Sequence, residues 1–143
     1  MIEMSDYQPG DEDSMVRRES DWSGRVTDNM AAGGLAFTLR LQGRVVAVMG
    51  AVNNWPGYAT AWAQISDDIR GQGRPLTRAT RSVSDVIMKE MALHRMDAYA
   101  VADHPEYGRW LKLLGFTHEC TLQAALPNGG DLCIYARWSG RSS

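Results

Sequence analysis

Hydrophobic residues recur at two different periods along this chain, and the switches between them divide it into elements. In "LAFTLRLQ", Leu35, Phe37, Leu39 and Leu41 alternate with polar or small residues, the pattern of a strand with one buried face. Gln42-Gly43 turns directly into "RVVAVMGAV", "NNWPGY" makes a second turn, and "YATAWAQIS" follows as a third strand. Together these predict an antiparallel meander. From Arg74 to His94 the period lengthens: Leu76, Ala79, Val83, Val86, Ile87 and Met91 fall at helical spacing, while Arg78, Arg81 and Lys89 lie elsewhere. Pro75 suits the first turn of that helix, where its missing N–H does no damage. "DAYAVAD" predicts a short buried strand. "HPEYGRWLKLLGF" predicts another helix, with Pro105 near its start and Gly115 as a left-handed cap before Phe116. "THECTLQAAL" and "GDLCIYARW" predict two strands joined at "PNGG".

The region ahead of the meander is less regular. A short strand is expected at Ile2 to Tyr7, and Pro9-Gly10 then break the chain. "DEDSMVRRESDWSGRVTDNMAA" opens with acids that suit the positive end of a helix dipole and carries a loose stripe of Val16, Trp22, Val26 and Met30, interrupted by Gly24. One bent helix or two short ones are expected, ended by Gly33 and Gly34. The polar "SGRSS" tail is expected to fray.

With 143 residues the chain fits a single domain, 1–143, able to bury about two thirds of its unfolded surface around one core. A net charge of −2 supplies no global basic field, so neither nucleic acid nor an anionic membrane is an expected partner. Cys120 and Cys133, the only two cysteines, lack metal-ligand spacing and do not fall opposite each other in the expected hairpin. A reducing, cytoplasmic compartment is expected. The acidic start lacks the apolar stretch of a signal peptide, and no segment reaches the roughly 18 apolar residues of a membrane span.

"DDIRGQGRPL", Asp67 to Leu76, carries the candidate chemistry. Glycines at 71 and 73 would let a backbone approach phosphates at a helix N-terminus, where N–H donors and the dipole both favour negative charge. Arg70, Arg74, Arg78 and Arg81 add positive charge there, and Arg70 or Arg74 could offer a bidentate fork. Equally, the two glycines could form only a strand-to-helix turn, with the arginines as a solvated face.

The order of elements, "RGQGRP" and "WLKLLGF" together resemble the GNAT superfamily of N-acetyltransferases, which has Arg/Gln-x-x-Gly-x-Gly/Ala at the first position and a run ending in Gly-Phe at the second. The resemblance spans nearly the whole chain, and its motif-bearing parts are Ile65 to Leu76 and His104 to Phe116. It implies an α/β (α+β) fold, a mixed, mostly antiparallel sheet of about six or seven strands flanked by three or four helices. It also implies acetyl-CoA as co-substrate, an amine acceptor, and transfer of the acetyl group between them. GNAT-like domains often pair, so a homodimer is among the expectations.

Residue by residue, the resemblance implies that Ile65, Ser66, Arg70, Gly71, Gln72, Gly73 and Arg74 hold the cofactor. A backbone N–H near Ile65, in a gap between the fourth and fifth strands, would be the oxyanion donor. Pro75 stands where the family has its last Gly or Ala. Leu111 stands at the family's tyrosine general acid, His104 at a frequent asparagine, and Gln64 on the strand where some members carry a catalytic glutamate. Tyr107, one turn before Leu111, is then the candidate acid, His104 a base or relay, and Gln64 an anchor for a water. Each also has a purely structural reading: Tyr107 as packing, His104 as a neighbour of the helix cap. The texture of "VIMKEMALHRMDAYAVADHPEYGRWLKLLGFTHE" further resembles small GNAT-like proteins of tailed bacteriophages, some linked to internal virion proteins. That resemblance implies the alternative of a structural or assembly protein without turnover, with a virion or assembly partner.

Overall fold

The computed structural model describes residues 1–15, 31, 33–67 and 73–140. Seven strands form one sheet: β1 (Ile2–Asp6), β2 (Gly34–Leu41), β3 (Arg44–Trp55), β4 (Tyr58–Ile65), β5 (Arg95–Val101), β6 (Thr117–Leu122) and β7 (Leu132–Trp138). The described helices are a 3-10 turn at Asp11–Ser14, α1 (Gly73–Glu90) and α2 (Pro105–Leu113). The strand order is β1-β2-β3-β4-β5-β7-β6, and every neighbouring pair is antiparallel except β4 with β5. The expected stripe of Val16, Trp22, Val26 and Met30 lies outside the described residues, as do Arg70, Gly71 and Gln72.

The meander forms because its turns are chemically decided. Gln42 and Gly43 both adopt positive φ, 52° and 80°, as a two-residue turn matched to the strand twist requires. Leu35, Phe37, Leu39 and Leu41 then face the main core, which lies between the sheet and the two helices. The opposite face carries a smaller cluster of Tyr7, Met15, Val45 and Val48, with Ala36 and Trp62 packed against it.

Both helices end by the same device. In α2 the N–H of Phe116 reaches the Leu111 carbonyl at 3.0 Å across left-handed Gly115, the cap expected from the sequence. In α1 the N–H of Leu93 reaches the Met88 carbonyl at 3.0 Å, with Ala92 at φ 51° in the left-handed position. The helix therefore stops at Glu90, four residues short of the expected His94, because Ala92 takes a cap conformation that the sequence does not advertise. Its buried face includes Thr80, Ser84 and Met88 beyond the expected stripe. Thr80 is satisfied by its hydroxyl bond to the Leu76 carbonyl at 2.8 Å, and Ser84 accepts from Arg137 at 2.7 Å. β6 also ends earlier than expected, at Leu122, where Ala124 turns to φ 54° and donates its N–H to Asp131 at 2.9 Å.

α2 sits close to β7 because it presents a glycine there. A Cβ added at Gly108 would lie 2.1 Å from the Tyr135 hydroxyl oxygen. Gly108→Ala is expected to cost about 1 to 3 kcal/mol through overpacking, although alanine is the better helix former. Tyr135→Phe in the same chain should recover much of that loss. Chemical denaturation of the two variants tests the contact; an unchanged midpoint in Gly108→Ala would contradict it.

Candidate active site

The site arises from a parting of strands. β4 and β5 pair only over Tyr58 to Thr60 and Arg95 to Asp97, after which β4 continues to Ile65 and β5 to Val101 without further pairing between them. The N–H of Ser66 donates to the Val46 carbonyl at 2.8 Å, on the β3 side. Successive peptide groups of a strand point in opposite directions, so the N–H groups of Ala61, Ala63 and Ile65 point away from β3; that of Ala61 belongs to the last rung with Asp97, and those of Ala63 and Ile65 point into the gap. Likewise the Ala102 N–H donates to Asp131 on the β7 side at 3.1 Å, which turns those of Tyr99 and Val101 toward β4.

A cavity of about 470 Å³ occupies this gap and the space between α1 and α2. Its walls are mainly apolar, with Ala61, Ala63 and Ile65 from β4, Leu76 and Val83 from α1, and Trp110 and Leu111 from α2. Trp62, Tyr99 and Val101 also line it although strand alternation places them on the other face, so the cavity extends into the gap itself. Gly73, Ser66 and Asp67 line the end where β4 gives way to α1. This is the shape of a channel for a long, mostly apolar arm, with backbone donors outside the sheet pairing of the described residues along one wall and a helix N-terminus at its mouth.

The sequence-derived candidates are distributed unevenly around the cavity. Ile65, Ser66 and Gly73 line it. Gly73 is the first residue of α1, where a Cβ would meet nothing within 4 Å among the described residues, and Arg74 follows it with an exposed side chain. Tyr107 lines the cavity and is 39% exposed. His104 does not line it. Its Nδ1 lies 3.0 Å from Glu106 Oε1, and its ring stacks on Tyr107 at 4.9 Å between centroids. Gln64 is buried on the opposite face of β4, level with Val48, and is not part of the cavity wall. Leu111, at the family's tyrosine position, is buried in the wall.

Three residues of the gap were not singled out from the sequence: Trp62, Asp97 and Tyr99. Asp97 is 2% exposed; its Oδ2 accepts from the Tyr58 hydroxyl and lies 3.7 Å from the Arg95 guanidinium. Burial, and then the Asp97 carboxylate, push both the Tyr58 and the Tyr99 phenols up, so each stays protonated at neutral pH. Arg95 is engaged chiefly with Glu119 through two bonds of 2.7 Å, which hold the Glu119 carboxyl below its usual range. The Glu106 carboxyl at the cavity is also lowered, first by its own backbone N–H and then by His104. The only sequence signal for this cluster was the alternation in "DAYAVAD", which puts Asp97, Tyr99 and Val101 on one face and Ala98 and Ala100 on the other.

Among the described residues no helix is long and apolar enough to cross a membrane, and no group of three or more His, Cys, Asp or Glu side chains could hold a metal ion.

No family model matches the chain, and no curated protein matches it either. Solved structures do. The ribosomal-protein-S18-alanine N-acetyltransferase from Escherichia coli superposes with a TM-score of 0.72 at 16% identity, over 100% of this chain and 97% of that one. An acetyltransferase of the GNAT family from Bacillus anthracis gives 0.75 at 17% identity, over 98% and 96%. The F149A mutant of spermidine N-acetyltransferase SpeG from Vibrio cholerae gives 0.66 at 15% identity over 74% of this chain, which spans just under two thirds (66%) of that enzyme. The mixed seven-stranded sheet, parted between its two parallel strands, is the fold of the GNAT N-acetyltransferases.

Proposed function

We propose that the chain is an acetyl-CoA-dependent N-acyltransferase that transfers an acetyl group to an amine. The observation that carries this reading is the unpaired edge of β4 beside the 470 Å³ cavity, with the N-terminus of α1 at its mouth. Neighbouring structures of the same fold carry the names of acetyltransferases for spermidine and for a ribosomal-protein alanine, different acceptors that share an amine.

Acetyl-CoA, when bound, supplies a thioester carbon that accepts the amine's lone pair, the C–N bond forming as the C–S bond breaks and sulfur keeps its electron pair. The chain's own groups supply binding and electrostatics. Arg70, Gly71, Gln72, Gly73 and Arg74 bring N–H donors and positive charge to the pyrophosphate at the start of α1. Ala63 and Ile65 offer N–H donors to the arm and to the carbonyl oxygen as it gains charge. Tyr107 donates its hydroxyl proton toward the departing sulfur and regains one from water; His104, stacked on its ring and anchored by Glu106, positions it. The proton lost by the attacking nitrogen passes to water.

A thiol-release assay with acetyl-CoA and a panel of primary amines tests this reading. Tyr107→Phe is expected to lower kcat about 10- to 100-fold with KM for acetyl-CoA little changed, in the range of general-acid effects. His104→Ala should produce a smaller fall in kcat than Tyr107→Phe. Full activity in Tyr107→Phe would remove the tyrosine from the chemistry.

A further inference from the structure

Behind α2, on the side away from the channel, a second pocket of about 280 Å³ opens between the helix and the strands β5 and β7. Tyr107, Trp110 and Leu111 line the channel, whereas Gly108, Arg109 and Lys112 of the same helix line this pocket, so α2 stands between the two. His104 lies at its edge, and Cys133 and Tyr135 of β7 form the opposite wall. The volume falls just short of the roughly 300 to 1,000 Å³ usual for drug-sized ligands, which suits an ion or a small molecule.

Two observations point to a ligand and to its charge. Arg109 and Lys112 are exposed on the helix, neither makes an ion pair among the described residues, and no carboxylate of those residues lines the pocket. Glu106, the one acid of α2, feels the charge of Arg109 without pairing with it; it lines the channel and lies 3.0 Å from His104 Nδ1. Tyr135 supplies the second observation. It is only 8% exposed and its ring meets His118 edge-on at 5.3 Å, yet its hydroxyl makes no hydrogen bond among the described residues. That hydroxyl ends beside Gly108, where a Cβ would lie 2.1 Å from its oxygen, and both residues line the pocket. Burial pushes the phenol up, so it keeps its proton as a donor. A buried hydroxyl without a partner is costly, and with two cations opposite, the group that relieves it is an anionic acceptor.

We infer that this pocket is a second ligand site, for a phosphate group that is either free or at the end of a small molecule. A tetrahedral dianion accepts from several directions at once. Arg109 offers it a fork and Lys112 a point charge from the helix, and Tyr135 a hydroxyl from the sheet. A carboxylate carries less charge and spans fewer of these directions. The site goes beyond the acetyltransferase reading and stands whether or not the chain carries out that reaction.

The test separates this pocket from the start of α1. Gly73→Glu closes that helix start to anions, so phosphate bound by the variant sits elsewhere. Calorimetric titration of this chain at constant ionic strength uses inorganic phosphate, glycerol 3-phosphate and acetate. The tighter of the two phosphates is expected to bind at least about tenfold more tightly than acetate. Adding Arg109→Gln should weaken it at least about tenfold, and adding Tyr135→Phe about threefold or more. Arg109 is exposed and Tyr135→Phe keeps its ring, so both variants should fold, which thermal melting checks. Tighter glycerol 3-phosphate identifies a carried phosphate, and tighter inorganic phosphate a free ion; either supports the site. No preference over acetate, or a preference that survives either added substitution, overturns it. In the chain with Gly73 intact, Arg109→Gln should leave acetyl-CoA affinity unchanged. Failure of that chain to bind acetyl-CoA overturns the acetyltransferase reading and leaves the phosphate site standing.

Discussion

Gly73→Glu is expected to weaken acetyl-CoA binding at least a hundredfold while leaving the folded chain as stable as the parent, or slightly more so. The two halves of this expectation come from one position. Gly73 opens α1 at the cavity mouth, and an added Cβ there meets nothing within 4 Å among the described residues, so a glutamate side chain has space beside them. A carboxylate in the first turn of a helix interacts favourably with the dipole, by about 0.3 to 1 kcal/mol. The same carboxylate would stand where phosphate oxygens need N–H donors and positive charge, and a hundredfold loss corresponds to only about 2.7 kcal/mol. Thermal melting and titration of one preparation suffice. Unchanged affinity for acetyl-CoA would show that α1 does not receive the pyrophosphate.

A second substitution should separate cofactor binding from stability in another way. Ala63 projects from β4 into the cavity, on the face packed by the two helices. Ala63→Phe is expected to fill part of the 470 Å³ space and to block acetyl-CoA, again by at least about a hundredfold. In a closed core such a change would cost about 1 to 3 kcal/mol through overpacking. Here the ring enters existing space and buries apolar surface, so the melting temperature should hold or rise. A fall of several degrees with binding retained would mean that the ring cannot use that space and that the arm runs elsewhere.

Much of the fold was legible because it rests on local rules. The alternation of Leu35, Phe37, Leu39 and Leu41, the left-handed pair Gln42-Gly43 and the cap at Gly115 each follow from side-chain period or backbone sterics, and each appears where expected. Where reading failed, the cause was tertiary. Thr80 and Ser84 are buried because Leu76 and Arg137 satisfy their hydroxyls, and a hydropathy pattern does not register such partners. Ala92 ends α1 in a conformation for which alanine gives no signal.

The candidate site was legible to a different degree. Of "RGQGRP", Gly73 lines the cavity and Arg74 follows it at the start of α1, while Arg70, Gly71 and Gln72 lie outside the described residues. Of the proposed side chains, Tyr107 reaches the cavity, His104 stands behind it against Glu106, and Gln64 lies on the far face of β4. The parting of β4 from β5 consists of backbone groups that the two strands no longer exchange, a feature no letter of the sequence encodes. Asp97 and Trp62 likewise look like ordinary strand residues until their neighbours are known. Asp97 Oδ1 and Trp62 Nε1 have no partner among the described residues, and for Asp97 this depends on where Tyr58, Arg95 and Glu119 make their own bonds.

Calorimetric titration of the unmodified chain with acetyl-CoA tests the central claim most directly. The open gap, the apolar channel and the helix start predict saturable one-to-one binding in the micromolar range, weakened as salt screens the arginines. No heat of binding at millimolar acetyl-CoA, from protein that melts cooperatively, would mean that the chain keeps the fold of an acetyltransferase without its co-substrate.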